Sequence, residues 1–415
     1  MKPVVRELKT LCRSSWFIGQ VNRYKTLKDE FRSYFNGISD HARYFSTPAS
    51  TEICGNHTAR NNGKVFAAVV DADIIAIAET FADSKVIIKI ENLNEINIDL
   101  TDTEKRDSET GTAASLVRGI LNAFTKKGLK VGGMRAYVST SAVKGVGLSV
   151  AAPFEVMIGQ ILSALFNNGK VPLSMIAEIS FNAEKDYDGR VSNLTNQTAC
   201  AVGGFVAIDF KDGNAPIIEE VPFEPDALNH TLCILNIGTT PLYDKEIRKI
   251  DDEMSAVARF FDCPNLRALS ISDVILNIGD LRRNFGDRAV LRSIHFFKEN
   301  DRVERIVHAL KNNNIEDFLS AVSESGNSSY KYLQNVYSSK DVRHQDMSIA
   351  FNTAEYALHK KGACRICGDG FSGTVQAFVP HDQLIGFKMC MERTIGAGKC
   401  HALSLRSVGT CEVLL

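Results

Sequence analysis

The chain of 415 residues is long enough for two ordinary domains or for one unit built from two lobes. Its composition, 44% hydrophobic and 23% charged residues, is typical of a soluble globular protein. The net charge of −1 gives no bulk electrostatic reason to bind nucleic acid or an anionic membrane, and no apolar run approaches the ~20 residues that span a bilayer, so neither is expected as a partner.

Hydrophobic periodicity and turn residues divide the first half of the chain into strands and helices. The predicted elements are a helix over 5–36, a short strand and turn at 44–49, a polar loop at 55–63, a strand or strand pair at 65–77, a β-hairpin over 85–100, a helix over 112–127, a strand over 132–141, and helices over 154–166 and 173–184. A loop followed by a strand is predicted over 189–210.

The second half mixes helices with late strands. The patterns predict a strand at 232–236, mainly helices over 244–335, a strand, glycine loop and strand over 361–379, and one or two strands over 400–415. Prolines between 216 and 225 indicate a boundary between two lobes. This order favours an α+β fold over a doubly wound sheet.

The ten cysteines indicate a reducing compartment rather than a disulfide framework. The first residues lack the apolar core of a signal peptide, so a cytoplasmic location is expected. Cys364 and Cys367 form a C-x2-C pair, but the chain has no second pair to complete a zinc site. Buried thiols on strands are the prediction for both.

A glycine loop before a helix is the most suggestive local pattern. Gly145 and Gly147 come shortly before the helix predicted at 154–166, with Ser149 as a plausible N-cap and Pro153 suited to the first turn. The free N–H groups at such a helix start favour an anion, most often a phosphate. An ordinary loop remains the alternative.

Three stretches, in order along the chain, resemble the motifs of one family. Residues 47–63, TPASTEICGNHTARNNG, resemble the galactokinase signature A-P-G-R-x-x-x-x-G-E/N-H-T-D-Y/H-x-x-G. Residues 145–155, GVGLSVAAPFE, resemble G-x-G-L-S-S-S-A-x-x-E, and residues 362–374 resemble G-A-R-x-x-G-G-G-F-G/A-G. The chain thus resembles the galactokinase branch of the GHMP kinase superfamily.

This resemblance implies a two-lobed α+β GHMP kinase fold with the ligand cleft between the lobes. It implies an N-terminal helical extension over 1–40, an N-terminal lobe with the sugar and phosphate loops over 41–222, and a C-terminal lobe over 223–415. The family moves the γ-phosphate of ATP to the anomeric hydroxyl of a hexose such as galactose. ATP and Mg²⁺ are therefore the implied cofactors, and a nucleotide and a hexose the implied ligands.

Several positions at which the family has chemically active side chains carry other residues here. Asn196 stands at the position of the aspartate base, and an amide cannot accept a proton at neutral pH. Ser50 matches an arginine that steadies charge near the transferred phosphate, Ala59 a sugar-binding aspartate, and Ala151 a Mg²⁺-binding serine. Asp369 interrupts the glycine triplet of the third motif.

Other positions keep the residue types of the family. The resemblance implies that Asn56, His57 and Thr58 bind sugar, that Lys144, Gly145, Gly147, Leu148 and Ser149 bind nucleotide, and that Glu184 binds the metal. For each of these a structural role, such as closing a turn or facing solvent, is the alternative.

Two functional hypotheses follow. The joint substitution of the base, the arginine and the metal-binding serine predicts a galactokinase-like protein with weak or lost catalysis and a binding or regulatory role, which would add a protein partner. The alternative is an active sugar kinase with an altered substrate and rearranged Mg-ATP ligation, in which Asp369 is a new metal ligand. A silent subunit of a hetero-oligomer is a third hypothesis.

Overall fold

The computed structural model describes residues 4–11, 17–141, 148–189, 194–213, 215–238, 244–371 and 373–415. Two β-sheets with packed helices confirm the predicted α+β architecture. The strands are β1 (Val5–Glu7), β2 (Arg43–Cys54), β3 (Lys64–Thr80), β4 (Lys85–Ile90), β5 (Ile96–Asp99), β6 (Met134–Thr140), β7 (Phe205–Asp209), β8 (Ile217–Val221), β9 (His230–Gly238), β10 (Ala363–Cys367), β11 (Gly373–Pro380), β12 (Cys400–Leu403) and β13 (Cys411–Leu414). The α-helices are α1 (Phe17–Tyr34), α2 (Ala113–Lys126), α3 (Ala151–Phe166), α4 (Leu173–Ala183), α5 (Thr195–Val202), α6 (Asp244–Phe260), α7 (Ile271–Leu276), α8 (Ile278–Phe285), α9 (Asp287–Lys311), α10 (Ile315–Ser328), α11 (Asp346–Leu358) and α12 (Leu384–Ile395).

Strand β3 is the axis of the larger sheet. Its side chains are mostly β-branched or small and apolar, which suits a buried extended backbone. It pairs with β2 along most of its length, with β6 over its last seven residues and with β7 over its first five. The sheet therefore runs β1-β13-β2-β3-β6-β4-β5, and β7 and β8 extend it beside the start of β3.

The two faces of β3 are buried against different helices, because successive side chains of a strand point to opposite faces. Ile74 and Ala76 belong to the core that includes residues of α2, α3 and α4. Ile75 and Ile77 instead pack with residues of α1, among them Phe31. Both faces of the strand are thus removed from water, which explains its nearly continuous apolar sequence.

The smaller sheet runs β10-β11-β9-β12 and is antiparallel throughout. Phe351 of α11 and Phe387 of α12 are part of the core on one of its faces. A further cluster joins the two sheets, since it contains Phe66 of β3, Val303 of α9 and Phe378 of β11. Helices α9 and α10 thus tie the two halves of the molecule together.

The helix predicted over 5–36 is wrong in its first part. Val5–Glu7 is a strand that pairs in parallel with Glu412–Leu414, and the α-helix begins at Phe17. The pairing partner is about four hundred residues away, so local periodicity could not reveal it. The short strand at 44–49 is also an underestimate, because β2 continues to Cys54 and carries part of the first motif.

The loop predicted at the start of 189–210 contains a helix. Thr195–Val202 forms α5, which contacts α3, α4 and β2. Its residues have little helix propensity of their own, so tertiary packing decides the outcome. The predicted hairpin, the helices over 112–127, 154–166 and 173–184, and the late strands are confirmed to within a few residues.

The lobe limits predicted from sequence remain a proposal, although the topology bears on them. Strand β13 pairs with β2, so the end of the chain returns to the sheet of the N-terminal half. Helix α1 packs on the same sheet. The segment over 1–40 therefore packs on the N-terminal half through its described residues.

The cysteines of the C-x2-C pair behave as predicted. Cys364 and Cys367 both lie on β10 and are each only 3% exposed. In the described parts of the chain, no group of three histidine, cysteine, aspartate or glutamate side chains is arranged to hold a metal ion. The same residues include no helix with the length and apolar character needed to cross a membrane.

Candidate functional site

A cavity of about 380 Å³ opens where the first and third motifs meet the start of α3 and α5. Strand β2 and the loop after it form one wall. Leu148 and Ser149 before α3, Thr195 and Asn196 of α5, and the end of β10 with Gly368 and Asp369 complete it. The fold thus brings together residues that are more than three hundred positions apart in the sequence.

Ser50 and Asn196 are in direct contact across this cavity. The Ser50 hydroxyl donates a hydrogen bond of 3.1 Å to Oδ1 of Asn196. Ser50 is almost fully buried, whereas Asn196 is half-buried. The two positions that the resemblance associates with an arginine and a catalytic aspartate therefore hold a neutral hydrogen-bonded pair.

The loop after β2 is held by its own polar groups. Gly55 has a φ of 102°, a conformation that favours glycine, and the Thr58 hydroxyl donates to the carbonyls of Gly55 at 2.8 Å and Lys64 at 2.7 Å. Thr58 is fully buried and holds the turn from behind the cavity wall. Of the three predicted sugar-binding residues, Asn56 and His57 are the ones that line the cavity.

Asn56 links this loop to the third motif. Its Nδ2 donates to the Gly368 carbonyl at 2.7 Å, and its Oδ1 accepts from Nδ2 of Asn335 at 2.9 Å. Nε2 of His57 lies 3.0 Å from the Asp369 carbonyl oxygen. The amide and the imidazole thus fix the relative position of the two loops, and their remaining surface faces the cavity.

Helix α9 supports the loop from below through two titratable residues. The buried Glu299 carboxylate accepts hydrogen bonds from the Gly55 N–H at 3.1 Å and from Arg302. Nε2 of His295 lies 2.9 Å from the Asn56 carbonyl and so donates to it. Burial lowers the pKa of His295 to about 4, so the ring is neutral near pH 7.

The predicted phosphate loop is described only at its end. Lys144, Gly145 and Gly147 lie outside the described residues. Leu148 and Ser149 line the cavity, and the Ser149 hydroxyl accepts a hydrogen bond of 3.3 Å from the Ala152 N–H. The prediction of Ser149 as the N-cap is wrong by one position, because α3 begins at Ala151 and its N-cap residue is Val150.

Glu184 follows α4 and points toward α5. Its carboxylate accepts a hydrogen bond of 2.8 Å from Nε2 of Gln197, and the same amide donates to Glu155 at 3.0 Å. Glu155 and Gln197 are at most 1% exposed, and Glu184 is 6% exposed. The amide next to Asn196 therefore bridges two buried carboxylates.

Comparisons with known proteins agree on one family. A family model described as "Galactokinase galactose-binding signature" matches residues 29–80. The galactokinase of Lactococcus lactis subsp. lactis is 27% identical over 372 residues, covering 87% of this chain and 89% of its own length. The galactokinase of Clostridium tetani is 26% identical over 369 residues, covering 87% and 90%.

Solved structures show the same fold. The crystal structure of Lactococcus lactis galactokinase complexed with galactose superposes with a TM-score of 0.77 at 22% identity, covering 95% of this chain and all of that one. The Methanococcus jannaschii mevalonate kinase gives a TM-score of 0.63 at 13% identity, covering 89% and 99%. The chain is a divergent member of the galactokinase family.

This galactokinase-family member carries a charged pair in the cavity that the motif comparison does not reveal. Glu52 of β2 lines the cavity, and the fully buried Arg365 of β10 contacts its carboxylate at 3.3 Å. Burial raises the pKa of Glu52, while the charge of Arg365 opposes the rise. Alternation along β2 could have revealed Glu52, since it lies two residues after Ser50.

The described residues fit the two implied cofactors of a galactokinase unequally. Ser149, which lines the cavity just before the N-terminus of α3, suits a phosphate group. For Mg²⁺ the fit is poor, because Glu184 is oriented toward an amide donor and Ala151 offers no oxygen ligand.

Proposed function

We propose that this galactokinase-family chain binds a hexose in the cavity, has lost most or all phosphoryl transfer, and acts through binding in a regulatory or scaffolding role. The observation that carries the proposal is the neutral hydrogen bond between Ser50 and Asn196. It occupies the two positions at which the family places a positive charge and a proton acceptor.

The chemistry of this pair is the argument for weak catalysis. An amide oxygen cannot take the proton of the attacking hydroxyl, and a general base contributes ~10²–10⁴ in rate. A serine hydroxyl cannot offset the charge that develops on the transferred phosphoryl group, and an arginine in that role contributes on the order of 10³–10⁵. The cavity therefore retains groups that can hydrogen-bond to a sugar, but at these two positions it lacks the proton acceptor and the positive charge that phosphoryl transfer requires.

Hexose binding is supported by the shape and polarity of the same cavity. Its lining includes Asn56, Asn196 and His57, whose amides and imidazole are groups that hydrogen-bond to hydroxyls. The loop that carries Asn56 and His57 is fixed on several sides, so little conformational entropy remains to be lost on binding. The match to a galactose-binding signature makes galactose the first ligand to test.

Two measurements on the purified full-length chain test the proposal. A thermal-shift screen with D-galactose, other common hexoses, ATP and ADP, with and without Mg²⁺, is expected to show stabilisation by a hexose. Transfer from radiolabelled ATP across the same hexoses is expected to stay near background, with the Lactococcus lactis galactokinase as the active control. Turnover close to that of the control would contradict the loss of catalysis, and no stabilisation by any hexose would contradict sugar binding.

An active sugar kinase with an altered substrate and rearranged Mg-ATP ligation is the second candidate. It is favoured by the two carboxylates, Glu155 and Glu184, that converge on Gln197 beside the cavity. This candidate requires Mg²⁺-dependent ATP binding that Glu184→Ala weakens. Titration calorimetry with no heat of ATP binding at millimolar concentration would exclude it.

A further inference from the structure

The cavity contains a carboxylate that the family motifs leave without a role. Glu52 lies on β2 between Ser50 and the loop that carries Asn56 and His57, and 20% of its side chain is exposed. Ala59, at the position where the family has a sugar-binding aspartate, lines the same cavity. One carboxylate is therefore missing from this wall, and another enters the cavity from the neighbouring strand.

The orientation of Glu52 is fixed by its contacts. Nη2 of Arg365 lies 3.3 Å from Oε1, and Nδ2 of Asn56 lies 3.5 Å from the same oxygen. Arg365 also donates through Nη1 to the Glu52 backbone carbonyl at 2.5 Å. Since the side-chain contacts to described residues use Oε1, the second oxygen, Oε2, is available to a ligand in the cavity.

The surroundings make this oxygen a strong acceptor. Burial raises the pKa of Glu52, and Glu299 of α9 adds to the rise, whereas Arg365 of β10, His57 and the Asn56 amide favour the charged form. The site is partly removed from water, where hydrogen bonds to a charged acceptor are stronger than in solvent. A hydroxyl group supplies the hydrogen that a carboxylate oxygen requires, whereas a second carboxylate would be repelled.

We propose that Glu52 accepts hydrogen bonds from hydroxyl groups of the bound hexose, in place of the carboxylate that is absent at Ala59, and thereby selects neutral sugars over anionic ones. This inference rests on the proposed function, because it names a binding residue and the ligand class of the same cavity. It assigns specificity to a residue outside the family's sugar-binding positions.

Titration calorimetry of the full-length chain with D-galactose and D-galacturonate tests the inference. The wild type is expected to bind galactose and to bind galacturonate more weakly. Glu52→Gln keeps the shape and an acceptor for Arg365, and is expected to weaken galactose binding by about 10- to 100-fold, the usual value of a hydrogen bond to a charged group. Glu52→Gln is also expected to reduce the difference in affinity between galactose and galacturonate.

The pH dependence of galactose binding distinguishes a binding role of Glu52 from a structural one. If Glu52 were only structural, Glu52→Gln would bind galactose with the same pH dependence as the wild type. Protonation of Glu52 is expected to weaken binding by the wild type as the pH is lowered, whereas Glu52→Gln is expected to bind almost equally over the same range. His57 and Arg365 are unchanged in Glu52→Gln, so the difference between the two pH profiles reports on Glu52. Parallel pH profiles for the two proteins would overturn the assignment.

Glu79→Gln is the matched control, since Glu79 of β3 is a buried carboxylate that pairs with Arg135 of β6, away from the cavity. It is expected to leave galactose affinity within about twofold of the wild type. If Glu52→Gln and Glu79→Gln lost galactose affinity equally, or if Glu52→Gln kept full affinity, the role of Glu52 would be overturned. Binding of no hexose by the wild type would instead overturn the proposed function on which the inference rests.

Discussion

His295 shows how a single side chain positions the loop after β2. Its Nε2 donates to the Asn56 carbonyl, so its Nδ1, 2.8 Å from the Ser328 hydroxyl, is the unprotonated acceptor. The neutral ring makes both contacts when the Ser328 hydroxyl donates to Nδ1. Burial lowers its pKa from 6.5 to about 4, although Glu299 nearby opposes the shift.

This shift predicts a loss of stability in mild acid. The unfolded chain binds a proton on His295 below about pH 6.5, whereas the folded chain resists protonation down to about pH 4. The free energy of unfolding is therefore expected to fall through this window, by up to about 3 kcal/mol from this residue. Urea unfolding at a series of pH values measures it.

Two variants isolate the contribution of His295. His295→Gln is expected to be less stable at pH 7, because it loses a buried hydrogen bond, but to show a shallower dependence on pH between 7 and 4. His308→Gln, at an exposed histidine near the end of the same helix, is expected to keep the wild-type slope. An unchanged slope in His295→Gln would contradict the assignment.

The loop between β2 and β3 depends on a glycine at its first position. Gly55 has a φ of 102°, and a Cβ there would lie 2.5 Å from the Lys64 carbonyl oxygen and 2.6 Å from Cα of Val65. Both atoms belong to the backbone, so relieving these contacts would require the main chain to shift. A side chain at this position therefore has to displace the loop that carries Asn56 and His57.

Gly55→Ala is expected to destabilise the protein by about 2–4 kcal/mol, from backbone strain and the close contact together, and to weaken hexose binding. Gly238→Ala is the matched control, because Gly238 has a φ of 96° but no atom of the described residues within 4 Å of the position that a Cβ would take. Gly238→Ala is expected to lower the free energy of unfolding by only about 1–2 kcal/mol, from backbone strain alone, and to leave hexose binding unchanged. Thermal unfolding and calorimetry compare the two; equal costs and equal affinities would contradict the steric argument.

The sequence predicts elements well where local pattern decides them. The apolar periodicity of the helix over 112–127 and the alternation in β4 and β5 are local signals, and those elements appear as expected. Strand β1 and helix α5 are stabilised by partners distant in sequence, so local pattern does not reveal either of them. The order of elements, rather than their boundaries, is what the sequence indicates reliably.

The candidate site, too, is only partly predictable from the sequence. The motifs predict that residues near 50, 56 and 368 share a cavity with Asn196, but not that Ser50 donates to Asn196. The pairing of Glu52 with Arg365 is equally inaccessible from sequence, because it depends on how β2 packs beside β10. Contacts between side chains on different elements require the fold.

Several hydrogen bonds between the two halves of the molecule lie at the cavity. Glu299 and His295 of α9 reach the loop after β2, and Arg365 of β10 reaches β2 itself. Strand β13 returns from the end of the chain to pair with β2. The walls of the cavity thus belong to both halves, and neither half completes its own hydrogen bonds there.

This organisation predicts one cooperative unfolding transition for the full chain and none for the N-terminal half alone. A fragment of residues 1–222 retains most strands of the larger sheet but loses β13, which leaves an edge of β2 unpaired, and it loses the partners of Gly55 and Glu52. We expect calorimetry to give a single heat-absorption peak for the full chain and no peak for the fragment. Adding residues 223–415 in trans is expected to restore galactose binding only if the two fragments assemble. A fragment 1–222 that unfolds cooperatively near the temperature of the full chain would instead show that the two halves are independent folding units.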